Sequence, residues 1–165
     1  MKTILATFVL GILACGQIHA ANLRQIYLDD AKNVHVVTLE GKDIQLTTAG
    51  HGTKARLSPD GETAAWIVSD TGLDQDQMEA GGSELAVYRN GTVRSIKCEP
   101  IIRGYWFSMK GNRIAIDCGG SHFAGREILY DVDTLKALAS FDQATVPTDI
   151  RPRWSESSDQ FSPDE

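Results

Sequence analysis

Two patterns of apolar and polar positions divide the chain. Residues 4–15 are almost entirely apolar or small, whereas the rest alternates short apolar runs with clusters of turn residues. Many runs are rich in β-branched residues, and their lengths are typical of β-strands. No long stretch keeps a helical period, so the pattern predicts an all-β domain. The predicted strands are residues 33–39, 44–48, 64–68, 85–88, 93–96, 113–117 and 128–132.

The turns between these runs show that the chain repeats. Asn90-Gly91 separates two apolar runs, which is a strong hairpin signal because both residues tolerate positive φ. Residues 57–66 align with residues 107–116, with an apolar residue, Ser, two turn residues, Gly and an apolar strand in the same order. A third start appears at Trp154, and residues 24–49 look like the later strands of a unit whose first strand is missing.

The first copy of this turn carries a family resemblance. The strand end at residues 46–48 and the turn Ser58-Pro59-Asp60-Gly61 resemble the β-propeller repeat of TolB and related periplasmic proteins, over roughly residues 33–161. The turn chemistry is structural: Pro59 presets φ, Asp60 accepts backbone hydrogen bonds, and Gly61 takes a positive φ. Met109-Lys110 replaces Pro-Asp in the second copy.

The resemblance implies a partial β-propeller of about three four-stranded blades. A propeller has four to eight blades, so three should not close alone. The segment at Trp154 would supply the missing first strand, and two copies would make a six-bladed homodimer. An open sheet stack or a sandwich is the alternative, and it would leave edges that invite pairing with another protein.

The N-terminal segment predicts export. Lys2, the apolar run and small residues ending at Ala20 have the three parts of a signal peptide, and the run is too short to span a membrane. We expect a signal peptide at residues 1–20, repeats at 21–154 and a polar tail at 155–165. Alternatively, residues 12–15 form a lipobox that would anchor the protein to a membrane through Cys15.

The net charge bears on the class of partner, and the cysteines bear on disulfide formation and metal binding. The chain has 16 Lys and Arg against 22 Asp and Glu, a net charge of −6, and loss of Lys2 makes it −7. This acidic balance argues against nucleic acid. Cys98 and Cys118 predict a disulfide in an exported protein, with inert thiols as the alternative, and zinc would need more ligands.

Candidate site residues lie in loops. The segment containing Asp74, Asp76 and Glu79 lacks the spacing of a calcium loop, and we interpret it as a solvated acidic loop and a candidate contact surface. His122 follows Gly119-Gly120-Ser121, which is either a flexible connection or a place where backbone approaches a ligand. We identify no catalytic motif, cofactor or metal site.

These features predict a non-catalytic protein-binding module of the bacterial cell envelope. The expected partner is another envelope or periplasmic protein, and the role is either a TolB-like scaffold or a periplasmic inhibitor or immunity-type protein. The alternative is a small-ligand-binding or enzymatic propeller that uses its central cleft.

Overall fold

The structure is a computed structural model that describes residues 22–69, 82–120 and 122–156. The all-β prediction is confirmed, because these residues form ten strands and a short 3-10 helix at Thr148–Ile150. No helix within these ranges is long and apolar enough to cross a membrane. The strands are β1 (Leu23–Leu28), β2 (Val34–Thr38), β3 (Asp43–Gln45), β4 (Gly52–Leu57), β5 (Thr63–Val68), β6 (Gly82–Arg89), β7 (Thr92–Phe107), β8 (Arg113–Gly119), β9 (Arg126–Asp131) and β10 (Ala137–Asp142).

The strands form two antiparallel sheets in which neighbours along the chain are neighbours in space. One sheet has the order β1-β2-β3, and the other has the order β10-β9-β8-β7-β6-β5-β4. The long strand β7 belongs to two units, because Thr92–Lys97 pairs with β6 whereas Ile101–Phe107 pairs with β8. We therefore describe a first unit (β1–β3), a second unit (β4 to the start of β7) and a third unit (the end of β7 to β10).

The end of β7 runs back alongside the second unit. The cis peptide Glu99–Pro100 lies where the strand changes partner. Beyond it, the buried Tyr105 hydroxyl lies 2.5 Å from the Lys54 carbonyl oxygen and 2.6 Å from that of Ala65. Both carbonyls belong to the second unit, so the third unit stacks against the second. Burial raises the pKa of Tyr105 well above its ordinary value.

Apolar layers between the units hold the stack together. Strand alternation sends alternate residues of β5 and β6 to opposite faces, so the second unit contributes to both layers. The layer between the first and second units contains Leu23, Val34, Val36, Ala64, Trp66, Ala86 and Tyr88. The layer between the second and third units contains Ala65, Ile67, Leu85, Val87, Ile96, Cys98, Ile102, Tyr105, Ile114, Ile116 and Val132.

The two outward faces of the stack differ from these layers. On the first unit, strand register places five polar side chains and Val37 on the outward face: Gln25, Tyr27, His35, Val37, Asp43 and Gln45. On the third unit, Trp106, Ala115 and Leu129 form a small buried cluster that Trp154 covers. The Trp106 indole nitrogen donates to the Trp154 carbonyl at 2.5 Å.

The predicted first strand at Trp154 is not observed. Residues 151–156 form turns and irregular backbone, and Trp154 packs on the third unit rather than beside the first. The first unit keeps three strands, and the sheets do not close into a ring within the described residues. Tilted contact between the Trp154 and Phe141 rings, with centroids 5.6 Å apart, favours the observed place because both rings lose water there.

Candidate functional site

Three connections begin and end at one end of the stack, which we call the loop end: from β1 to β2, from β5 to β6 and from β8 to β9. Of these connections, the structure describes residues 29–33, Ser69, Gly120 and residues 122–125. Ile102 pairs with Gly82 on one side and with Cys118 on the other. Gly82, the first residue of β6, and Cys118, near the end of β8, therefore each lie about one strand spacing from Ile102.

The loop of the first unit joins the same end through backbone contacts. The Gly52 amide donates to the Lys32 carbonyl at 3.1 Å, and the Ser69 amide donates to the His51 carbonyl at 2.9 Å. Within this loop, Asp29 accepts from the Asn33 amide at 2.7 Å and from the Asn33 side chain at 2.9 Å. These bonds hold the pKa of Asp29 below its usual value, so its carboxylate remains charged.

Arg103 fixes the loop that contains His122. Its guanidinium makes a bidentate ion pair with Asp117, at 2.6 Å and 3.1 Å. A further nitrogen donates to the carbonyls of Gly120 at 2.9 Å and of Phe123 at 3.1 Å. Both ends of this short connection are thus tied to one side chain at the start of the third unit. Because the loop is already ordered, binding a partner costs it little conformational entropy.

Gln143 extends this contact network beneath the loop. Its side-chain oxygen accepts from Arg103 at 2.5 Å and from the Gly125 amide at 3.0 Å. Its nitrogen donates to Asp117 at 3.0 Å. The buried Glu127 carboxylate lies 3.9 Å from Arg151, whose guanidinium lies over the Phe141 ring. Two carboxylates and two guanidiniums therefore balance one another, as burial of charge requires.

The disulfide predicted between Cys98 and Cys118 is confirmed. It links the end of the β6-paired part of β7 to the end of β8, with the two Cα atoms 5.9 Å apart. Closing a loop of this size contributes about 3 kcal/mol in the chain-entropy estimate. Because Cys118 immediately precedes Gly119-Gly120, the bond stabilises the base of the His122 loop.

Of the four predicted binding residues, the structure describes one, His122, at the loop end. His122 is exposed on the loop held by Arg103. Asp74, Asp76 and Glu79 lie outside the described residues, in the segment that ends at Gly82. Among the residues that are described, no three His, Cys, Asp or Glu side chains are grouped to hold a metal ion.

Pro59, Asp60 and Gly61 lie at the opposite end, in the hairpin between β4 and β5. Asp60 accepts from the Ser58 hydroxyl at 2.5 Å and from the Glu62 amide at 3.0 Å, and Gly61 has a φ of +72°. The Gly61 amide donates to the Ser58 carbonyl at 2.9 Å, and the Gly111 amide makes the same bond to Ser108 at 2.9 Å.

Sequence reasoning missed the network of Arg103, Asp117, Glu127 and Gln143. The repeat contained one signal for it. Asp117 aligns with Ile67 at the same spacing that aligns the two turns, and Glu127 pairs with Asp117 as Leu85 pairs with Ile67. Charged residues that replace an apolar cross-strand pair indicate a polar cluster.

Comparisons with known proteins give distant similarity only. No family model matches the chain, and no curated protein sequence matches it. The β-propeller domain of the Trilobed protease from Pyrococcus furiosus has a TM-score of 0.46 and 16% sequence identity, with 82% of this chain and 44% of that chain covered. An acylaminoacyl peptidase from Pyrococcus horikoshii has a TM-score of 0.44 and 13% identity, with 74% and 25% covered.

A third solved structure, a putative 6-phosphogluconolactonase from Bacteroides fragilis, has a TM-score of 0.37 and 13% identity. It is covered over 38% of its length, against 74% of this chain. The chain spans less than half of each of these three structures. Similarity at this level does not extend to their activities.

Proposed function

We propose that the protein is an exported, non-catalytic protein-binding module of the bacterial cell envelope, and that it binds its partner through the loop end. The observation that carries this proposal is the Arg103 contact set. One mostly buried side chain holds both ends of an exposed loop, next to the entry of the acidic segment. A preorganised loop, at the end of the molecule where the acidic segment enters β6 at Gly82, suits a protein partner with a basic surface.

The disulfide supports the export part of the proposal. Such bonds persist in oxidising compartments such as the periplasm. Together with the predicted signal peptide at residues 1–20, the Cys98–Cys118 bond favours the periplasm. Lipidation at Cys15 would place the same domain at a membrane surface.

The repeat supports a propeller-type scaffold. The hairpins that precede β5 and β8 lie 50 residues apart and have the same backbone hydrogen bonds. Each leads into the second strand of its unit, and the two units stack, as the resemblance to TolB-like repeats implies. Whether the role is scaffold or inhibitor depends on the partner's identity.

Site-specific photo-crosslinking tests the binding face. A photoreactive phenylalanine analogue replaces His122 in one variant and Lys136 in another. Both positions are exposed, and Lys136 lies at the opposite end of β9. We expect one envelope protein to crosslink from position 122 and not from position 136, in cells of the source bacterium. Equal crosslinking from both positions, or none from position 122, would refute the loop end as the binding face.

A further inference from the structure

A groove on the outward face of the third unit lies away from the loop end. Its volume is about 550 Å³, within the range of sites that bind small molecules and short peptide segments. Trp106 and Trp154 form its apolar wall, and Met109, 95% exposed, lies at its edge. The hairpin between β7 and β8 lines one side, and the segment ending at Glu156 lines the other.

The charge of the groove is opposite to that of the chain. Lys110, Arg113 and Arg153 line it, with Glu156 as the acidic member. The whole chain has a net charge of −6, so a local excess of cations is not a consequence of its composition. An apolar wall with a basic rim fits an aromatic or large apolar side chain flanked by carboxylates.

The repeat shows that two groove residues are not required by the turn. In the first copy Pro59 and Asp60 build the hairpin, and Asp60 binds Ser58 and Glu62. The second copy has Met109 and Lys110 instead, yet Ser108 still donates its amide to Arg113 at 3.0 Å. The turn forms without the Pro-Asp pair, and the replacements put an exposed apolar side chain and a cation on the groove.

We propose that this groove binds a short acidic peptide segment of a partner protein, with an aromatic residue of that segment packed against Trp106, Trp154 and Met109. Lys110, Arg113 and Arg153 bind its carboxylates. The site goes beyond the proposed function, because it lies on another surface and takes a segment of opposite charge to the basic surface expected at the loop end.

Fluorescence anisotropy with a labelled Gly-Asp-Asp-Phe-Glu-Asp-Gly peptide tests the proposal on the mature chain. We expect saturable binding that weakens as salt rises, because the rim contacts are charged. Trp106 and Trp154 are two of the three tryptophans, so intrinsic fluorescence should change in parallel. A peptide with Lys in place of each acidic residue should not bind.

Two variants localise the binding. Lys110→Glu and Met109→Ala should each weaken it by about tenfold, because each variant removes a direct contact with the peptide. Both side chains are exposed, so thermal unfolding should be unchanged and a fold defect is distinguishable. His122→Ala should bind the peptide normally, which separates this site from the loop end.

Three results would overturn the proposal. They are absence of binding at millimolar peptide, equal binding of the lysine peptide, and binding that Lys110→Glu and Met109→Ala leave unchanged. Truncation after Glu156 tests another occupant. If only the truncated chain binds, residues 157–165 fill the groove and a partner segment does not.

Discussion

At the scale of single residues, the two repeat turns depend on each other. Gly61 and Gly111 both adopt positive φ, at +72° and +73°. The Asp60 carboxylate of the first turn lies where a side chain on Gly111 would be, 2.4–2.6 Å from that Cβ position. Asp60 is held by Ser58 and Glu62, so it cannot move away freely.

Substitution of Gly111 should therefore cost more than substitution of a glycine with φ strain alone. Gly91 has a φ of +76° and nothing within 4 Å of its Cβ position. We expect Gly91→Ala to destabilise by about 1 kcal/mol from backbone strain, and Gly111→Ala by about 2 kcal/mol or more because overpacking adds to it. Urea unfolding measures both, and equal losses would show that the Asp60 contact is not restrictive.

A second residue-scale prediction concerns acid stability of the first unit. Asp43 accepts from the Tyr27 hydroxyl and from the His35 ring at 2.9 Å, and these bonds lower the pKa of Asp43. A carboxyl with a lowered folded-state pKa stabilises the fold above its unfolded value, about 3.9, and this is lost as pH falls through the folded value.

We therefore expect Asp43→Asn to flatten the fall of Tm between about pH 4 and pH 2. Tyr27→Phe removes the hydroxyl that donates to Asp43 and should flatten the same fall of Tm. Circular dichroism melts across this range provide the measurement. A wild-type and an Asp43→Asn curve that run parallel would contradict the assigned role.

At the scale of elements, alternation and turns predicted the interior strands well. The predicted strand at residues 64–68 is β5, and the predicted strand at 113–117 lies in β8. The strands not predicted as separate runs are β1, β4, β10 and the part of β7 that pairs with β8. β10 is largely exposed and β1 has only one buried residue, so no buried period marks either of them. β4 contains a bulge at Lys54, whose φ of +49° breaks its alternation.

The stability of the loop that contains His122 should depend on the contacts of Arg103. Arg103→Met leaves the nearly buried Asp117 without its bidentate partner, which costs about 3 kcal/mol. The double variant Arg103→Met/Asp117→Leu replaces this carboxylate with an apolar side chain, like Ile67 at the matching position of the second unit. It should recover part of the lost free energy of unfolding. Urea unfolding gives both energies, and hydrogen exchange at residues 119–125 should quicken in Arg103→Met. A double variant less stable than Arg103→Met would contradict this explanation.

At the scale of the whole molecule, the outward face of the third unit differs in polarity from the apolar faces that join the units. The second unit presents Ile67, Leu85 and Ile96 to the third. The matching positions on the outward face of the third unit are Asp117, Glu127 and Phe141. The repeat pattern alone could not show this difference, because it requires knowing which face of each strand points outward and what covers it.

These faces bear on the predicted six-bladed homodimer. A second copy would have to displace Trp154 from Trp106 and place the already buried Asp117–Glu127 cluster against the polar face of a first unit. Neither exchange gains an apolar layer like those inside the stack. We therefore expect residues 21–165 to sediment as a single chain at concentrations up to about 100 µM, well above the Kd of a stable dimer.

Trp154→Ala makes this expectation testable in both directions. It should cost about 2 kcal/mol or more, because a half-buried Trp that covers an apolar cluster is lost. Because it uncovers Trp106 and Leu129, the variant should also associate as concentration rises, whereas the wild type should not. Leu138→Ala, a change at an exposed side chain on β10, serves as the control and should do neither. A wild-type chain that dimerises at micromolar concentration, with Trp154→Ala no more prone to associate, would favour ring closure by two copies over a stack covered at both faces.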